Sequence, residues 1–570
     1  MNAPASVQPG VTRPRDRGVA ERARQAALAV RSNLVARGLG IGRPVTPVQV
    51  DRDLAIPMTD GTVLLADRWH PVGTTQEDAP ILLARLPYGR RGLFGILFRA
   101  FAEQGYQVVV VSTRGTFGSG GDWDPFRDEQ ADGADTLAWL EDQPWFVANV
   151  ATTGGSYFGL TQWAIAEDPP PWLKAMTLAI TSTWFRGPLY PGETFALETA
   201  LTWIHGVERQ EDGLRGQLRT WRSRRDVEKA ARTVPLARAD VTVVGHRVDF
   251  FQDWLDHADQ QDPWWNAVDF GPAIATAPPA NLVAGWYDFF LPYQLADYAR
   301  LRAAGHRPRL LVGPWWHGHR DGALALVQET LDWADVHLRG RASKRTSDVR
   351  VFVMGTDEWR DLDAWPPPST PTPFHLHAGL RLGTDEPTTS KPDRYRYDPA
   401  DPTPSIGGAS LSSKAGPKDN EPRESRADVL SYTTNPLDHD VTVMGDVVAD
   451  LHVRSSLEHT DVFVRLCDVE PGGRSLNIAD GVVRLPSASM ERAPDGITGI
   501  RIPMFPTAAS FRRGHRIRLQ VSSGAHPVHS RNLGSGEPIG TATTFCVADQ
   551  EIFHDPAHPS SVVLPIVQPA

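Results

Sequence analysis

Apolar and polar positions alternate differently in three successive parts of the chain. From about residue 48 to residue 188, short apolar runs such as Ile81 to Leu86 alternate with helical patterns, which is typical of a largely parallel sheet. From about residue 189 to residue 268 the strand pattern mostly disappears, and helical patterns replace it. Sheet patterning then resumes. We therefore predict an α/β domain formed by residues 48–188 and 269–345, with residues 189–268 inserted as a helical cap.

The last part of the chain has the pattern of an all-β domain. After Arg345, runs of alternating hydrophobicity such as Val447 to Val453 and Arg516 to Val521 are separated by turns rich in Pro, Gly and Asp. The sequence therefore predicts a β-sandwich over residues 346–570.

The first 47 residues form a separate N-terminal extension. They are rich in Arg and Ala and lack the continuous apolar core of a signal peptide. Gly18 to Leu39 alternates charged residues with Ala, Val and Leu in a helical rhythm. We predict that residues 1–47 are partly disordered and partly helical, and that the helix packs on the surface or mediates association of two copies.

The segment from Val150 to Gly159 has the layout of a nucleophile elbow. A short apolar run leads to Gly154 and Ser156, and a helix-forming segment follows directly. In such an elbow the turn is so tight that the serine adopts a strained backbone conformation, and only small neighbours avoid a clash. The usual form has a second glycine two places after the serine, whereas here it comes three places after. Taken alone, the match is weak evidence for a catalytic serine.

Two later segments strengthen this interpretation, because each places a reactive residue just after a predicted strand. Asp288 follows the apolar run Asn281 to Ala284, and His317 follows the apolar run Arg309 to Val312. The carboxyl ends of parallel strands form the edge at which ligands bind, and the order Ser, Asp, His is that of α/β-hydrolases. The sequence therefore predicts a catalytic triad of Ser156, His317 and Asp288.

Other interpretations of these residues stay open. Asp288 is also suited to cap the helix that follows it, since aspartate is favoured there. His319 is a rival base that spacing alone does not exclude, although His317 is favoured because it comes earlier after the strand. Ser119 is a rival nucleophile by pattern. No helix-forming run follows Ser119 within a few residues, so we interpret its surroundings as a glycine-rich loop.

Composition narrows the classes of partner. The chain has 570 residues, of which 41% are hydrophobic and 22% charged, as is typical of soluble globular proteins with two to four domains. A net charge of -10 gives no reason to expect nucleic acid or an anionic membrane as a partner. No run of 18 apolar residues predicts a membrane span, and the expected location is the cytoplasm.

Motifs for metals and cofactors are absent from the sequence. There is no Cys-x-x-Cys, no His-Glu-x-x-His and no phosphate-binding Gly-Lys-Ser/Thr loop. The pair His317 and His319 lacks a clear third ligand, so we expect no metal and no cofactor. Cys467 and Cys546 lie in strand-like runs and are interpreted as small buried apolar residues. A disulfide between them is also compatible with the sequence.

With these motifs in place, the chain resembles the bacterial cocaine esterases, within the broader group of X-Pro dipeptidyl-peptidase-like serine hydrolases. The likeness covers roughly residues 48–570 and most of the motifs described above. The segments that carry it are Leu86-Pro87-Tyr88, Thr113-Arg114-Gly115, Asp135 to Leu140, Gly154 to Gly159, Gly285 to Asp288, Gly313 to His317, Val351 to Gly355, Glu358 to Arg360, Asp398 to Pro402, Leu430 to Thr433 and Ser530-Arg531-Asn532.

The resemblance implies a fold and a set of roles. The fold is an α/β-hydrolase domain with an inserted helical cap, followed by an all-β jelly roll of the galactose-binding-like type. Ser156 would be the acylated nucleophile, His317 the general base and then acid, and Asp288 the carboxylate that holds the imidazole. The oxyanion hole would combine the hydroxyl of Tyr88 with the backbone N–H of Tyr157. A phenol suits this task because it donates a hydrogen bond without carrying charge; without the resemblance, we would interpret Tyr88 as a core tyrosine.

An aromatic pocket is expected beside the serine, since apolar walls favour an aryl or alkyl acyl group. Each candidate side chain is equally compatible with a place in the core; the candidates are Trp184, Phe185, Trp203, Phe289 and Phe290. In relatives that hydrolyse α-amino acid esters, an acidic cluster receives the substrate ammonium group. The acidic candidates in the cap are Glu193, Glu198, Glu208 and Glu211.

Three functions are compatible with the sequence. The favoured one is a serine hydrolase that cleaves carboxylic esters, with a small-molecule ester or amide as its partner. The second is an X-Pro dipeptidyl-peptidase or an α-amino acid ester hydrolase; such peptidases commonly carry a large helical N-terminal domain, and the extension here is too short to supply it. The third is a carbohydrate or protein binder built on the β-sandwich. A homodimer is compatible with the helical extension.

Overall fold

The computed structural model describes residues 31–73, 78–211, 223–486, 490–492 and 495–568. The predicted N-terminal helix, Gly18 to Leu39, lies partly outside these ranges; within them, residues 31–38 are helical and are called α1. In the part of the chain that the structure describes, no helix is both long and apolar enough to cross a membrane.

Among the described residues, ten strands form the first sheet. They are β1 (Val48–Pro57), β2 (Val63–Pro71), β3 (Ile81–Leu86), β4 (Gln107–Ser112), β5 (Val150–Gly155), β6 (Leu173–Ala179), β7 (Ala280–Tyr287), β8 (Arg309–Trp316), β9 (Val349–Val353) and β10 (Glu358–Leu362). Their order in the sheet is β1-β2-β4-β3-β5-β6-β7-β8-β9-β10. The central strands run parallel, and an antiparallel hairpin closes each edge. All residues of β3 and β4 are buried, which explains why both strands are mostly apolar.

Helices connect these strands and form the insertion. They are α2 (Gly92–Ala102), α3 (Glu129–Glu141), α4 (Tyr157–Trp163), α5 (Arg186–Leu189), α6 (Leu197–Val207), α7 (Ser223–Ala230), α8 (Ala239–Val244), α9 (Asp249–Asp256), α10 (Leu291–Ala303) and α11 (Arg320–Arg339). Helices α4, α10 and α11 pack on β5, β6 and β7. Helices α5 to α9 lie between β6 and β7 in the chain, where the sequence pattern predicts a cap.

The second sheet has 14 strands in the part of the chain that the structure describes. They are β11 (Thr370–His377), β12 (Arg381–Gly383), β13 (Asp393–Tyr397), β14 (Leu430–Thr433), β15 (Val441–Gly445), β16 (Val448–Ser455), β17 (Thr460–Val469), β18 (Ser475–Leu485), β19 (Met490–Arg492), β20 (Thr498–Pro503), β21 (Thr507–Phe511), β22 (Arg516–Ser522), β23 (Ala548–Phe553) and β24 (Ser561–Ile566). The sheet closes around its own core of buried Val, Leu and Ile side chains, and a short helix, α12 (Glu421–Glu424), lies in a long excursion before β14. The predicted fold class, an α/β-hydrolase domain followed by an all-β domain, is confirmed.

The first sheet continues past residue 345, the predicted end of the α/β domain. Strand β9 pairs in parallel with β8, and β10 pairs with β9 as a hairpin, so residues up to Leu362 extend the first sheet. Every second residue of β9 is only partly buried. This alternation resembles that of the sandwich strands, and for this reason the pattern alone did not separate them.

Both cysteines are free. Cys467 is fully buried in β17, and burial raises the pKa of its thiol to about 12. It is therefore a small core residue, as predicted. Cys546 differs from the prediction, since it is only partly buried and lies outside the strands; the disulfide that the sequence left open is not formed.

Candidate active site

Ser156 occupies a strained turn between β5 and α4. Its backbone has φ +56° and ψ −125°, a conformation that residues other than glycine rarely adopt. Gly154 allows this turn, because a Cβ at that position would lie 2.2 Å from the ring of Phe158 and 2.4 Å from its carbonyl oxygen. The local structure is therefore the elbow that the sequence predicts.

The late position of the second glycine has a steric cause. A Cβ at Gly159 would lie 2.5 Å from the side chain of Thr181, just after β6. Phe158 takes the place at which glycine usually stands, and its ring packs edge-on against Phe94 and Tyr88, with centroid distances of 5.8 and 6.3 Å. In this protein the residue that must be small is the one facing β6, three places after the serine.

The structure brings the three predicted triad residues together. The Nδ1 of His317 lies 2.8 Å from Oδ2 of Asp288, and its Nε2 lies 3.0 Å from Oγ of Ser156. Because a carboxylate only accepts hydrogen bonds, the proton of a neutral imidazole lies on Nδ1, which leaves Nε2 free to accept the serine proton. Asp288 is 1% exposed, and its second oxygen accepts the N–H of Phe290 at 2.9 Å. The carboxylate thus also fixes the start of the following turn.

The two rival residues have other partners. The Oγ of Ser119 donates to the carbonyl of Ser112 at 2.8 Å and accepts the N–H of Leu65 at 2.9 Å, so it holds the glycine-rich loop against β2. The Nδ1 of His319 accepts the N–H of Asp321 at 3.2 Å and caps α11. Neither side chain takes part in the network around Ser156.

Tyr88 lies beside Ser156, and its hydroxyl accepts a hydrogen bond from the indole Nε1 of Trp203 at 3.1 Å. Burial raises the pKa of Tyr88 to about 12, while hydrogen bonding with Trp203 and Ser156 acts in the opposite direction. The phenol is therefore protonated, and a donor, at neutral pH. The N–H of Tyr157 is the first of helix α4, and the first N–H groups of a helix have no acceptor within the helix.

The side chain of Tyr157 points to a buried polar cluster. Its hydroxyl donates to Oε1 of Glu129 at 2.8 Å and accepts the N–H of Phe126 at 3.1 Å. Burial raises the pKa of Glu129. The guanidinium of Arg85, 2.6 Å away, lowers it and so partly offsets this effect. These bonds hold the residue after the serine in one position.

Four of the five predicted pocket residues line the cavity at Ser156. Its walls include Phe185, Trp203, Phe289 and Phe290. The exception is Trp184: its indole packs against Tyr293, with ring centroids 6.0 Å apart. The physical reason is that neighbouring residues of this turn face different ways, and Phe185 is the one that meets Phe126, at 4.1 Å.

Sequence reasoning missed several further walls of the pocket, among them Phe126, Trp254 and Leu411. Trp254 had a usable signal in the sequence, because it stands four residues after Phe250 in a helical pattern. In the structure both rings pack with Trp203. Leu411 comes from the long excursion of the β-sandwich, where the sequence is mostly polar and nothing marks one leucine. The pocket is thus built from the hydrolase domain, the cap and the sandwich.

The four acidic candidates in the cap have their partners outside this pocket. Glu193 pairs with Arg186 at 2.6 Å and Glu208 with His246 at 2.9 Å. Glu198 accepts a hydrogen bond from Ser410, and Glu211 accepts the N–H of Phe117. Among the described residues that line the pocket, none is acidic.

The described residues also contain no group of three or more His, Cys, Asp or Glu side chains that could hold a metal ion. The pair His317 and His319 is divided between the triad and the cap of α11.

Comparisons with known proteins agree with this geometry. The model of the X-Pro dipeptidyl-peptidase (S15) family matches residues 60–319, and that of the X-Pro dipeptidyl-peptidase C-terminal non-catalytic domain matches residues 341–563. Cocaine esterase of Rhodococcus sp. (strain MB1 Bresler) is 35% identical over 572 residues, which cover 91% of this chain and 99% of that protein. The chain belongs to the cocaine esterase family. It is accordingly a serine hydrolase that acts on esters.

Two solved structures share the fold of this chain. An α-amino acid ester hydrolase superposes with a TM-score of 0.78 at 22% identity, covering 92% of this chain and 98% of its own. An aminopeptidase from a marine sediment archaeon, Thaumarchaeota archaeon, superposes with the same TM-score at 23% identity, covering 92% and 97%. At these identities the likeness concerns the fold alone.

Proposed function

We propose that this member of the cocaine esterase family hydrolyses esters of uncharged, apolar carboxylic acids, aromatic acids included, through an acyl-enzyme formed on Ser156. One observation carries the proposal: the Ser156–His317–Asp288 hydrogen-bond chain opens into a cavity walled by aromatic rings. The 35% identical relative is itself named for an ester substrate, cocaine.

The proposed reaction proceeds in two acyl-transfer steps. The Oγ of Ser156 attacks the ester carbonyl carbon while Nε2 of His317 takes its proton, and Asp288 stabilises the imidazolium that forms. His317 then gives the proton to the oxygen of the leaving alcohol, and the C–O bond breaks. A water molecule repeats the attack on the acyl-enzyme with His317 as base, which releases the acid and restores Ser156.

The oxyanion of each tetrahedral intermediate would accept hydrogen bonds from the hydroxyl of Tyr88 and the N–H of Tyr157. Tyr88 lies close to Ser156 and keeps its proton, since its pKa is about 12. Removing one donor of this kind typically lowers turnover by about 10²–10³-fold.

The choice against ammonium-bearing substrates rests on charge. An α-amino acid ester or an Xaa-Pro peptide brings a cation to the site, and a buried cation without a carboxylate partner is costly. Glu193 is paired with Arg186, Glu208 is hydrogen-bonded to the exposed His246, and the described lining of the pocket contains no acid. The pocket therefore suits a neutral acyl group.

A matched pair of substrates tests this choice directly. The 4-nitrophenyl esters of 3-phenylpropanoic acid and of phenylalanine differ only in the ammonium group. We expect kcat/KM to be at least about 100-fold higher for the neutral ester, because the cost of burying the unpaired cation amounts to several kcal/mol. Equal rates, or rapid cleavage of an Xaa-Pro anilide with inert esters, would refute the proposal.

Labelling tests the nucleophile. A fluorophosphonate should modify the wild-type protein and the variant Ser119→Ala, which serves as the matched control, and should leave Ser156→Ala unlabelled. If Ser156→Ala still reacts and still turns over esters, the nucleophile lies elsewhere.

A further inference from the structure

The hydroxyl of Tyr88 is hydrogen-bonded by a residue of the cap. Tyr88 follows β3 in the hydrolase domain, whereas Trp203 stands on α6 in the insertion. The 3.1 Å bond between the indole Nε1 and the Tyr88 oxygen therefore joins the two parts of the chain at the reacting centre.

The chemistry of the two groups fixes the direction of this bond. An indole N–H only donates, and a phenol has one proton and two acceptor lone pairs. Trp203 therefore fills one lone pair of Tyr88 and leaves the Tyr88 proton for another acceptor. Since Tyr88 also lies beside Ser156, that proton is directed to the side on which an oxyanion would form.

Both rings are held by aromatic neighbours, so this bond has little freedom. The ring of Tyr88 stacks on Phe94 at a centroid distance of 6.0 Å and meets Phe158 edge-on at 6.3 Å. The ring of Trp203 packs against Trp123 at 5.6 Å and Trp254 at 5.8 Å. A residue with an aromatic ring but without an N–H could keep this packing and lose the bond.

We infer that Trp203 is a positioning residue of the oxyanion hole, which aims the hydroxyl of Tyr88 and makes turnover depend on the position of the cap. The inference rests on the proposed function of Tyr88. The pKa of Tyr88 supports the inference. Burial raises this pKa, and the hydrogen bond from the indole of Trp203 lowers it by a smaller amount. A more acidic phenol is a better donor to a developing oxyanion.

A double-mutant cycle separates positioning from simple wall formation. Trp203→Phe, Tyr88→Phe and the double variant are compared with wild type using 4-nitrophenyl butyrate, and kcat is expressed per fluorophosphonate-titrated site. We expect Trp203→Phe to lower kcat by about tenfold, less than the loss of the donor itself, with KM changed by less than about threefold. In the Tyr88→Phe background the same substitution should change kcat by less than about twofold, because its target is gone.

Trp254→Phe measures what the loss of a pocket indole does by itself, since that indole also lines the cavity. It should alter kcat by the same factor with and without the Tyr88 hydroxyl. If Trp203→Phe yields no titratable sites, Trp203→Leu also removes the donor and takes its place.

The possible results fall into separate classes. Multiplicative effects of Trp203→Phe and Tyr88→Phe on kcat, or a rise in KM at constant kcat, would overturn the inference and leave Trp203 as a wall. An active Ser156→Ala protein, or a Tyr88→Phe protein with full turnover, would instead overturn the proposed function on which the inference rests.

Discussion

Phe289 stacks on the imidazole of His317, with ring centroids 4.6 Å apart and planes inclined by 26°. It directly follows Asp288 in the chain and also lines the cavity at Ser156. One ring thus covers a face of the imidazole and forms part of the substrate wall.

We expect Phe289→Leu to lower kcat/KM by about tenfold, because an aromatic contact is worth about 0.5–1.5 kcal/mol beyond its area and the imidazole loses its cover. Steady-state kinetics on an aryl ester measure the effect. Phe290→Leu is the matched comparison, since that ring lies 6.0 Å from His317 and should affect KM more than kcat. Equal kcat losses in both variants would contradict a special role for the stacked ring.

Gly159→Ala should destabilise the protein by about 1–3 kcal/mol, the usual cost of overpacking. The added methyl group would lie 2.5 Å from Thr181, and the nearest relief is a shift of the elbow, so turnover should fall as well. Chemical denaturation and ester kinetics check both effects. Gly206→Ala on α6 is the control, because nothing lies within 4 Å of its Cβ position; it should be neutral or slightly stabilising. A Gly159→Ala protein as stable and active as this control would refute the steric account.

We expect the protein to lose stability at acid pH because His529 is partly buried. Its Nδ1 lies 2.8 Å from Oγ1 of Thr194 in the cap region, and burial lowers the pKa of His529 to about 4. In the unfolded chain the imidazole of His529 takes up a proton near pH 6.5. The contribution of His529 to the free energy of unfolding is therefore complete above that pH. It is lost as the pH falls to about 4, by roughly 2–3 kcal/mol.

Denaturation of wild type and His529→Asn at pH 7.5, 6, 5 and 4 tests this linkage. The difference in unfolding free energy between the two proteins should shrink as the pH falls, since asparagine does not titrate. A difference that stays constant over this range would show that His529 is not the group responsible.

Because Leu411 of the β-sandwich lines the pocket, we expect the sandwich to influence the affinity for substrate. Leu411→Ala should raise KM for aryl esters by about tenfold, because a few methylene groups in a hydrophobic pocket are worth about 1–3 kcal/mol, while kcat changes less. Leu437, another sandwich leucine that packs on the sandwich core, supplies the control Leu437→Ala. If both variants behave alike in KM, Leu411 does not contact the substrate.

The sequence predicted the parts of the site that follow strict local rules. Ser156, Asp288 and His317 each come after an apolar run, and a parallel sheet brings such chain ends to one edge. The strain at Ser156 likewise follows from the glycine pattern. Even the unusual spacing at Gly159 was visible, although its cause, the side chain of Thr181, depends on a contact between distant segments.

Other features could not be predicted from local patterns. Trp184 and Phe185 are neighbours of similar chemistry, and only the path of the turn decides which faces the pocket. Phe126 adopts φ +73° in a loop, which no periodicity reports. The alternation in β9 is that of any half-covered strand, so its place in the first sheet follows from pairing with β8 rather than from its own residues.

The excursion that carries Leu411 offers a position at which the pocket can be engineered. It is anchored on the sandwich by the fully buried Arg423, whose guanidinium donates to Gln520 and to the carbonyl of Gly524. We therefore expect substitutions of Leu411 to change acyl selectivity, while Ser156 and β5 keep their positions. A library of variants at Leu411 is therefore a suitable starting point for changing acyl selectivity, because the catalytic residues Ser156, Asp288 and His317 stay as they are.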